Sequence, residues 1–141
     1  MFLGRIFPQT VMQSFIARVS RFAPRLNFRA MTTYRVTYIE PSGEPVTLTT
    51  DNAEENLMTL AVKNNVDLEG ACDGQLACST CHCILSQEVY DDLQTKKPPT
   101  DEELDLLDTA FGLTNTSRLG CQLPLKVLPS EITVKLPSHS R

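Results

Sequence analysis

Tryptophan is absent from this chain of 141 residues, and only 6% of the residues are aromatic. A core here must be built from aliphatic side chains, and the 41% hydrophobic content supplies enough of them for one domain. No run of eighteen apolar residues occurs, so no membrane-spanning helix is expected. Histidine is scarce, with only His82 and His139. The five cysteines are odd in number, and four of them crowd into residues 72–83. A disulfide scaffold would spread an even number along a short secreted chain, so metal binding or redox chemistry is the better reading.

Acidic residues are missing from the first 39 positions. Residues 1–31 carry Arg5, Arg18, Arg21, Arg25 and Arg29, whereas residues 32–141 hold eight Lys and Arg against seventeen Asp and Glu, a formal −9. A basic leader therefore precedes an acidic domain. Within the leader, Val11, Phe15, Val19 and Phe22 recur at helical spacing, with Arg18, Arg21 and Arg25 on an adjoining face. Arg-rich, acid-free and amphipathic is the composition of an organelle transit peptide. Arg18 and Arg21 interrupt the apolar core that a secretory signal needs. The expectation is mitochondrial import with cleavage near Ala30–Met31 and a domain over 32–141. A disordered basic arm or a nucleic-acid tail is the alternative, but the acidic body argues against a nucleic-acid partner.

In the body, Tyr34, Val36 and Tyr38 alternate, Pro41-Ser42-Gly43 supplies turn chemistry, and Val46 and Leu48 resume the alternation. This is the pattern of a β-hairpin. Asp51 and Glu54 have the spacing of a helix N-terminal box, with Leu57, Leu60 and Ala61 as the buried stripe and Asn64-Asn65 as the stop. HCILS (82–86) is a short apolar strand. After Pro98-Pro99, Thr100 and Glu103 form a capping box for a second helix. Leu104, Leu107 and Phe111 share one face of it, Asp101, Asp105 and Asp108 another, with Glu102 at the edge. EITVKLP (131–137) is a last alternating strand. The order β-β-α-loop-β-α-β predicts an α+β domain with helices packed on a mixed sheet.

Cys72, Cys78 and Cys81 are spaced C-x5-C-x2-C, and Cys121 follows after 39 residues. Soft thiolates select zinc, cuprous copper or iron–sulfur clusters. A [2Fe–2S] cluster takes four thiolates, and three from a loop plus one distant cysteine match that count. Gly70 and Gly74 allow the backbone to wrap closely, and small Ala71, Ala77 and Ser79 leave amides free to face sulfur. Cys83 competes with Cys121 for the fourth place, although four ligands within 72–83 would leave the LGCQL segment unexplained. Two other classes are a structural zinc domain using the C-x2-C pair and a thiol redox protein using Cys78 and Cys81.

ACDGQLACSTCH (71–82) resembles the cluster loop of the adrenodoxin-type mitochondrial [2Fe–2S] ferredoxins, and DEELDLLDTAFGLTNTSRLGCQL (101–123) resembles their acidic helix and fourth-ligand segment. The similarity runs through nearly all of residues 33–137. It implies a β-grasp-like ferredoxin fold, one [2Fe–2S] cluster and one-electron transfer in the mitochondrial matrix rather than enzymatic catalysis. By this resemblance Cys72, Cys78, Cys81 and Cys121 are the ligands, the first two on one iron and the last two on the other. Asp101, Glu102, Asp105 and Asp108 become the docking face for an NADPH-dependent flavoprotein ferredoxin reductase and for electron acceptors. VDLEGAC and YDDL…GLTNTSRLGCQ look closer to the form serving iron–sulfur cluster assembly than to the form serving cytochromes P450. A monomer is expected, with a low potential; plant-type relatives lie at roughly −400 mV.

The sequence departs from that family pattern twice. The stretch before Cys121 is longer, with Lys96-Lys97-Pro98-Pro99 read as the addition in a surface loop. Cys83 stands where an apolar residue is usual and is read as a small buried hydrophobe. His82 is read as a hydrogen-bonding support beside the cluster, because a Rieske site needs two histidines on one iron and His139 lies in the terminal tail.

Overall fold

The computed structural model describes residues 31–138. The predicted leader helix, its cleavage site and His139 lie outside these residues.

The hairpin forms as the alternation requires. Strand β1 (Tyr34–Ile39) pairs antiparallel with β2 (Pro45–Thr50), placing Val36 opposite Leu48. Gly43 turns the chain with a φ of 88°, a conformation that glycine adopts without a Cβ penalty. Strand β5 (Glu131–Lys135) lies parallel to β1, with Ile132 beside Val36 and Val134 beside Tyr38. Strand β3 (His82–Ile84) runs antiparallel to β5 and to β4 (Ser117–Leu119), so the sheet order is β2-β1-β5-β3-β4. Tyr34, Val36, Tyr38, Ile132 and Val134 are all buried on the core side. The mixed sheet and its helices are the α+β arrangement expected.

Helix α1 (Leu57–Lys63) begins later than the Asp51–Glu54 spacing suggests. Its N-cap is Asn56, whose Oδ1 accepts from the Thr59 amide at 2.7 Å. Residues 53–56 are instead held by the segment around 123–126. Leu125 N–H donates to the Glu55 carbonyl, Lys126 N–H to the Ala53 carbonyl, and Leu57 N–H to the Leu123 carbonyl. These tertiary bonds outcompete an early helical turn. The stripe is as expected, with Leu57, Leu60 and Ala61 buried, joined by Met58. Asn65 takes the left-handed conformation with φ 57°. The Tyr38 hydroxyl donates to the Leu57 carbonyl at 2.8 Å and pins α1 to the sheet.

Helix α2 (Gln87–Lys96) was not expected. It is capped by Ser86 and buries only Leu93, so no apolar stripe announces it. The Gln87–Asp91 and Lys96–Asp92 pairs brace its exposed side. Lys96 is thus a helical residue, and only Lys97-Pro98-Pro99 forms the connecting loop.

Helix α3 (Asp101–Leu107) starts where Thr100 places it, with Thr100 Oγ1 accepting from Glu103 N–H at 3.3 Å. Three details of the expectation change. The Glu103 side chain bonds to Arg118 and to the Leu119 amide, where a reciprocal box would have sent it to the cap. Of the proposed apolar face only Leu107 is buried, while Leu104 and Phe111 are exposed. The helix ends at Leu107, so Phe111 lies beyond it, and Gly112 (φ 73°) turns the chain later.

Candidate metal centre

The cluster-loop sequence folds as a run of tight turns. Asp73, Gly74 and Leu76 all have positive φ, at 51°, 82° and 55°. Only the glycine was legible as permissive; two side-chain-bearing residues in this region are uncommon and mark a backbone shaped for a purpose. The consequence appears at Cys72. The backbone amides of Ala77, Gly74 and Gln75 favour its thiolate. The Ala77 amide foremost, followed by the Cys78 thiol, brings the Cys72 pKa down to about 7. Such a nest of amides favours a thiolate. Thr80 draws the loop ends together: its Oγ1 lies in hydrogen bond with Cys78 Sγ and accepts from Ala71 N–H, both at 3.1 Å.

The second half of the site comes from two distant segments. Gly120 N–H donates to the Cys81 carbonyl at 2.9 Å, bringing the short 3-10 turn Gly120–Gln122 against the end of the loop. An interaction links the Cys81 and Cys121 thiols. It lowers Cys121 to about 6, and the same contact, with burial, pushes Cys81 up. The four sulfurs thus fall into two pairs, Cys72 with Cys78 and Cys81 with Cys121. Among the described residues no group of three or more His, Cys, Asp or Glu side chains is gathered to hold a single metal ion.

Cys83 stands apart from both pairs. Its thiol is fully buried and donates to the Arg118 carbonyl at 3.4 Å. Burial, reinforced by the Glu103 charge, pushes its pKa up to about 12, which opposes the thiolate that a metal requires.

His82 is buried, and a 2.6 Å hydrogen bond joins its Nε2 to Ser117 Oγ. That oxygen also accepts from the Thr114 amide at 2.9 Å. The residue after Cys81 is thereby fastened to the strand that leads into Cys121.

Sequence reasoning missed Arg118 and the fate of Glu103. Both side chains are buried, at 0% and 1% exposure. Arg118 Nε donates to Glu103 Oε1 at 2.8 Å and Nη2 to Oε2 at 3.1 Å, a bidentate pair, while Nη1 donates to the Lys97 carbonyl. Glu103 Oε1 also accepts from Leu119 N–H at 3.0 Å. Nothing in a single sequence distinguishes this arginine from a surface one, and capping chemistry offered the glutamate a nearer partner.

Asp101, Glu102, Asp105 and Asp108 are all exposed, and none takes part in an ion pair among the described residues. The helix-start backbone and the Thr100 hydroxyl hold Glu102 below the usual carboxylate range. Leu104, 44% exposed, lies at helical spacing from Asp101 and Asp108.

Residues 39–126 match the family described as the 2Fe-2S iron-sulfur cluster binding domain. The chain is 49% identical over 107 residues to a 2Fe-2S ferredoxin of Rickettsia montanensis, covering 76% of this chain and 92% of that one. It is 45% identical over 104 residues to adrenodoxin of Ovis aries, covering 72% and 78%. The chain belongs to the adrenodoxin-type [2Fe–2S] ferredoxins. Among solved structures it is similar to a chain of the covalent putidaredoxin reductase–putidaredoxin complex, with TM-score 0.66 and 28% identity over 74% of this chain and 99% of that one.

As a ferredoxin of this type the chain is an electron carrier with one [2Fe–2S] cluster, and not an enzyme. This replaces the zinc and thiol-redox alternatives. The residues present suit the cluster: Cys72 with Cys78 and Cys81 with Cys121 would offer two thiolates to each of two irons, and the amides that favour the Cys72 thiolate suit an anion.

Proposed function

We infer that this ferredoxin takes one electron at a time from an NADPH-dependent flavoprotein reductase and delivers it to iron–sulfur cluster assembly in the mitochondrial matrix, acting as a monomer. Cys72, Cys78, Cys81 and Cys121 are assigned as the ligands. When bound, the cluster supplies a single low-potential electron site. The chain's own residues do the rest. The Ala77, Gly74 and Gln75 amides offset thiolate charge at Cys72, and His82 keeps the loop registered on β4 through Ser117.

The observation that carries the partner assignment is the exposed, unpaired acidic row on α3. Further negative charge near an anionic cluster opposes its reduction, and a merely solvated face would not place a half-exposed leucine in the middle of the row. A basic partner gains steering from the acids and apolar contact from Leu104. The Glu103–Arg118 pair holds this face rigidly against the strand entering Cys121. The association of a similar chain with a reductase in the putidaredoxin complex supports the same partner class. The basic leader, residues 1–31, supports mitochondrial import.

Reconstitution tests the acceptor. Reduced full-chain protein is offered to a purified cluster-assembly complex and to a mitochondrial cytochrome P450, and reoxidation is followed by visible absorption. Faster turnover with the assembly complex is expected; preference for the P450 would transfer the assignment to that branch.

A further inference from the structure

Three glycines flank the assigned ligands: Gly70 two residues before Cys72, Gly74 two residues after it, and Gly120 one residue before Cys121. Gly70 and Gly74 meet the side chain of Met58, and Gly120 meets its backbone. A Cβ added at Gly70 would lie 2.8 Å from the Met58 sulfur and 3.1 Å from its Cγ. One added at Gly74 would lie 3.7 Å from the Met58 methyl, and one at Gly120 would lie 3.3 Å from the Met58 backbone nitrogen. Met58 is itself buried, on the second position of α1. On its outer side lies a notch of about 230 Å³ bounded by Met58, Thr59, Val62, Lys63, Gly70 and Asp73.

We propose that Met58 is a positioning residue for electron transfer, its side chain bracing the loop backbone on both sides of Cys72 and keeping water in the notch away from the cluster. The proposal rests on the ligand assignment made above. An unbranched thioether suits this place because it lies flat against backbone that carries no side chain. Its side chain reaches from Gly70 to Gly74, the backbone on either side of Cys72. Truncation opens the notch inward. Water then stabilises the more negative, reduced cluster, because burial in a low-polarity environment disfavours added charge. The potential therefore rises, and the cluster becomes more accessible to hydrolysis and oxygen.

The test compares full-chain variants by iron content, reduction potential, EPR spectrum of the reduced state and half-life of visible absorption in air. Met58→Ala is expected to raise the potential, shift the EPR spectrum and shorten the half-life several-fold. Met58→Leu restores apolar volume and should return all three towards the parent values. Leu60→Ala is the control for a weakened helix. Leu60 is equally buried on α1 but is not among the atoms nearest any of the three glycines. It should lower the melting temperature and leave the potential in place. Gly70→Ala drives a methyl into the Met58 sulfur and should also move the potential. Adding Met58→Ala to Gly70→Ala should recover part of that shift, a coupling that independent sites lack. A parent-like potential and EPR spectrum in Met58→Ala, an equal shift in Leu60→Ala, or strict additivity with Gly70→Ala would each overturn the proposal. If Met58→Ala fails to fold, a parent-like potential in Gly70→Ala overturns it. Parent-like iron content in Cys121→Ser would instead overturn the ligand assignment, which keeps the two failures apart.

Discussion

His82 shows how one side chain connects two parts of the site. Its ring is buried one residue beyond Cys81, and its 2.6 Å bond to Ser117 crosses from β3 to β4. His82→Ala removes that bond and leaves Ser117 with its local partners, Thr114 N–H and the Thr114 hydroxyl. A loss of about 1–3 kcal/mol in unfolding free energy is expected. Iron content should stay near the parent value while the potential shifts; loss of iron from this variant would contradict a supporting role. At the same scale Cys83 illustrates what a sequence leaves open. Its spacing from Cys81 allowed a ligand, and only burial against the Arg118 carbonyl separates a packed thiol from a reactive one. Alkylation of the native holoprotein should therefore leave Cys83 unmodified, as peptide mass analysis would show.

Helix α3 carries its charge on one side and its anchor on the other. In the docking role proposed above, the exposed acids would set the rate of encounter, because long-range attraction acts before contact. Replacing Asp101, Glu102, Asp105 and Asp108 with their amides should slow association with the reductase on the order of tenfold or more at low salt. It should also flatten the dependence on ionic strength, and stopped-flow kinetics across a salt series would show both. Unchanged kinetics would mean that the row is only solvated surface. The anchor is the Glu103–Arg118 pair. Glu103→Gln leaves a buried guanidinium short of its countercharge and should destabilise the fold by about 3–5 kcal/mol, read by chemical denaturation. A change under 1 kcal/mol would show that the pair is not the tie between α3 and β4. The helix itself was legible, because Thr100 after two prolines is an unambiguous start. Its buried side was not: the Leu104-Leu107-Phe111 spacing fits a helix longer than the one that forms, and the charged Glu103 joins Leu107 as an inward contact. Helix α2 was illegible for a related reason, since a ten-residue helix that buries only Leu93 has almost no apolar periodicity.

Across the whole molecule, the proposed ligand set would join the middle of the chain to its C-terminal third. The hairpin, the last strand and the stripe of α1 could be read directly, because alternation and helical spacing report which faces are buried. The loop geometry could not, because the positive φ values of Asp73 and Leu76 answer to the site and not to local preference. Long-range pairing was equally hidden. The Asn56–Pro124 bridge and the bonds from residues 123–126 move the start of α1 and bring the Cys121 segment beside the loop. Cluster binding and folding of the domain are therefore linked, and chelation of iron should lower the melting temperature of the chain.

The fourth thiolate is proposed to come from Cys121, forty residues beyond Cys81, and not from Cys83. EPR-monitored reductive titration of the full chain, beside its Cys121→Ser and Cys83→Ser variants, tests this most directly. The parent and Cys83→Ser should each take up one electron and give the same rhombic low-field signal, while Cys121→Ser should lose the signal or change its form. A parent-like titration from Cys121→Ser, with the signal lost from Cys83→Ser, would contradict the account.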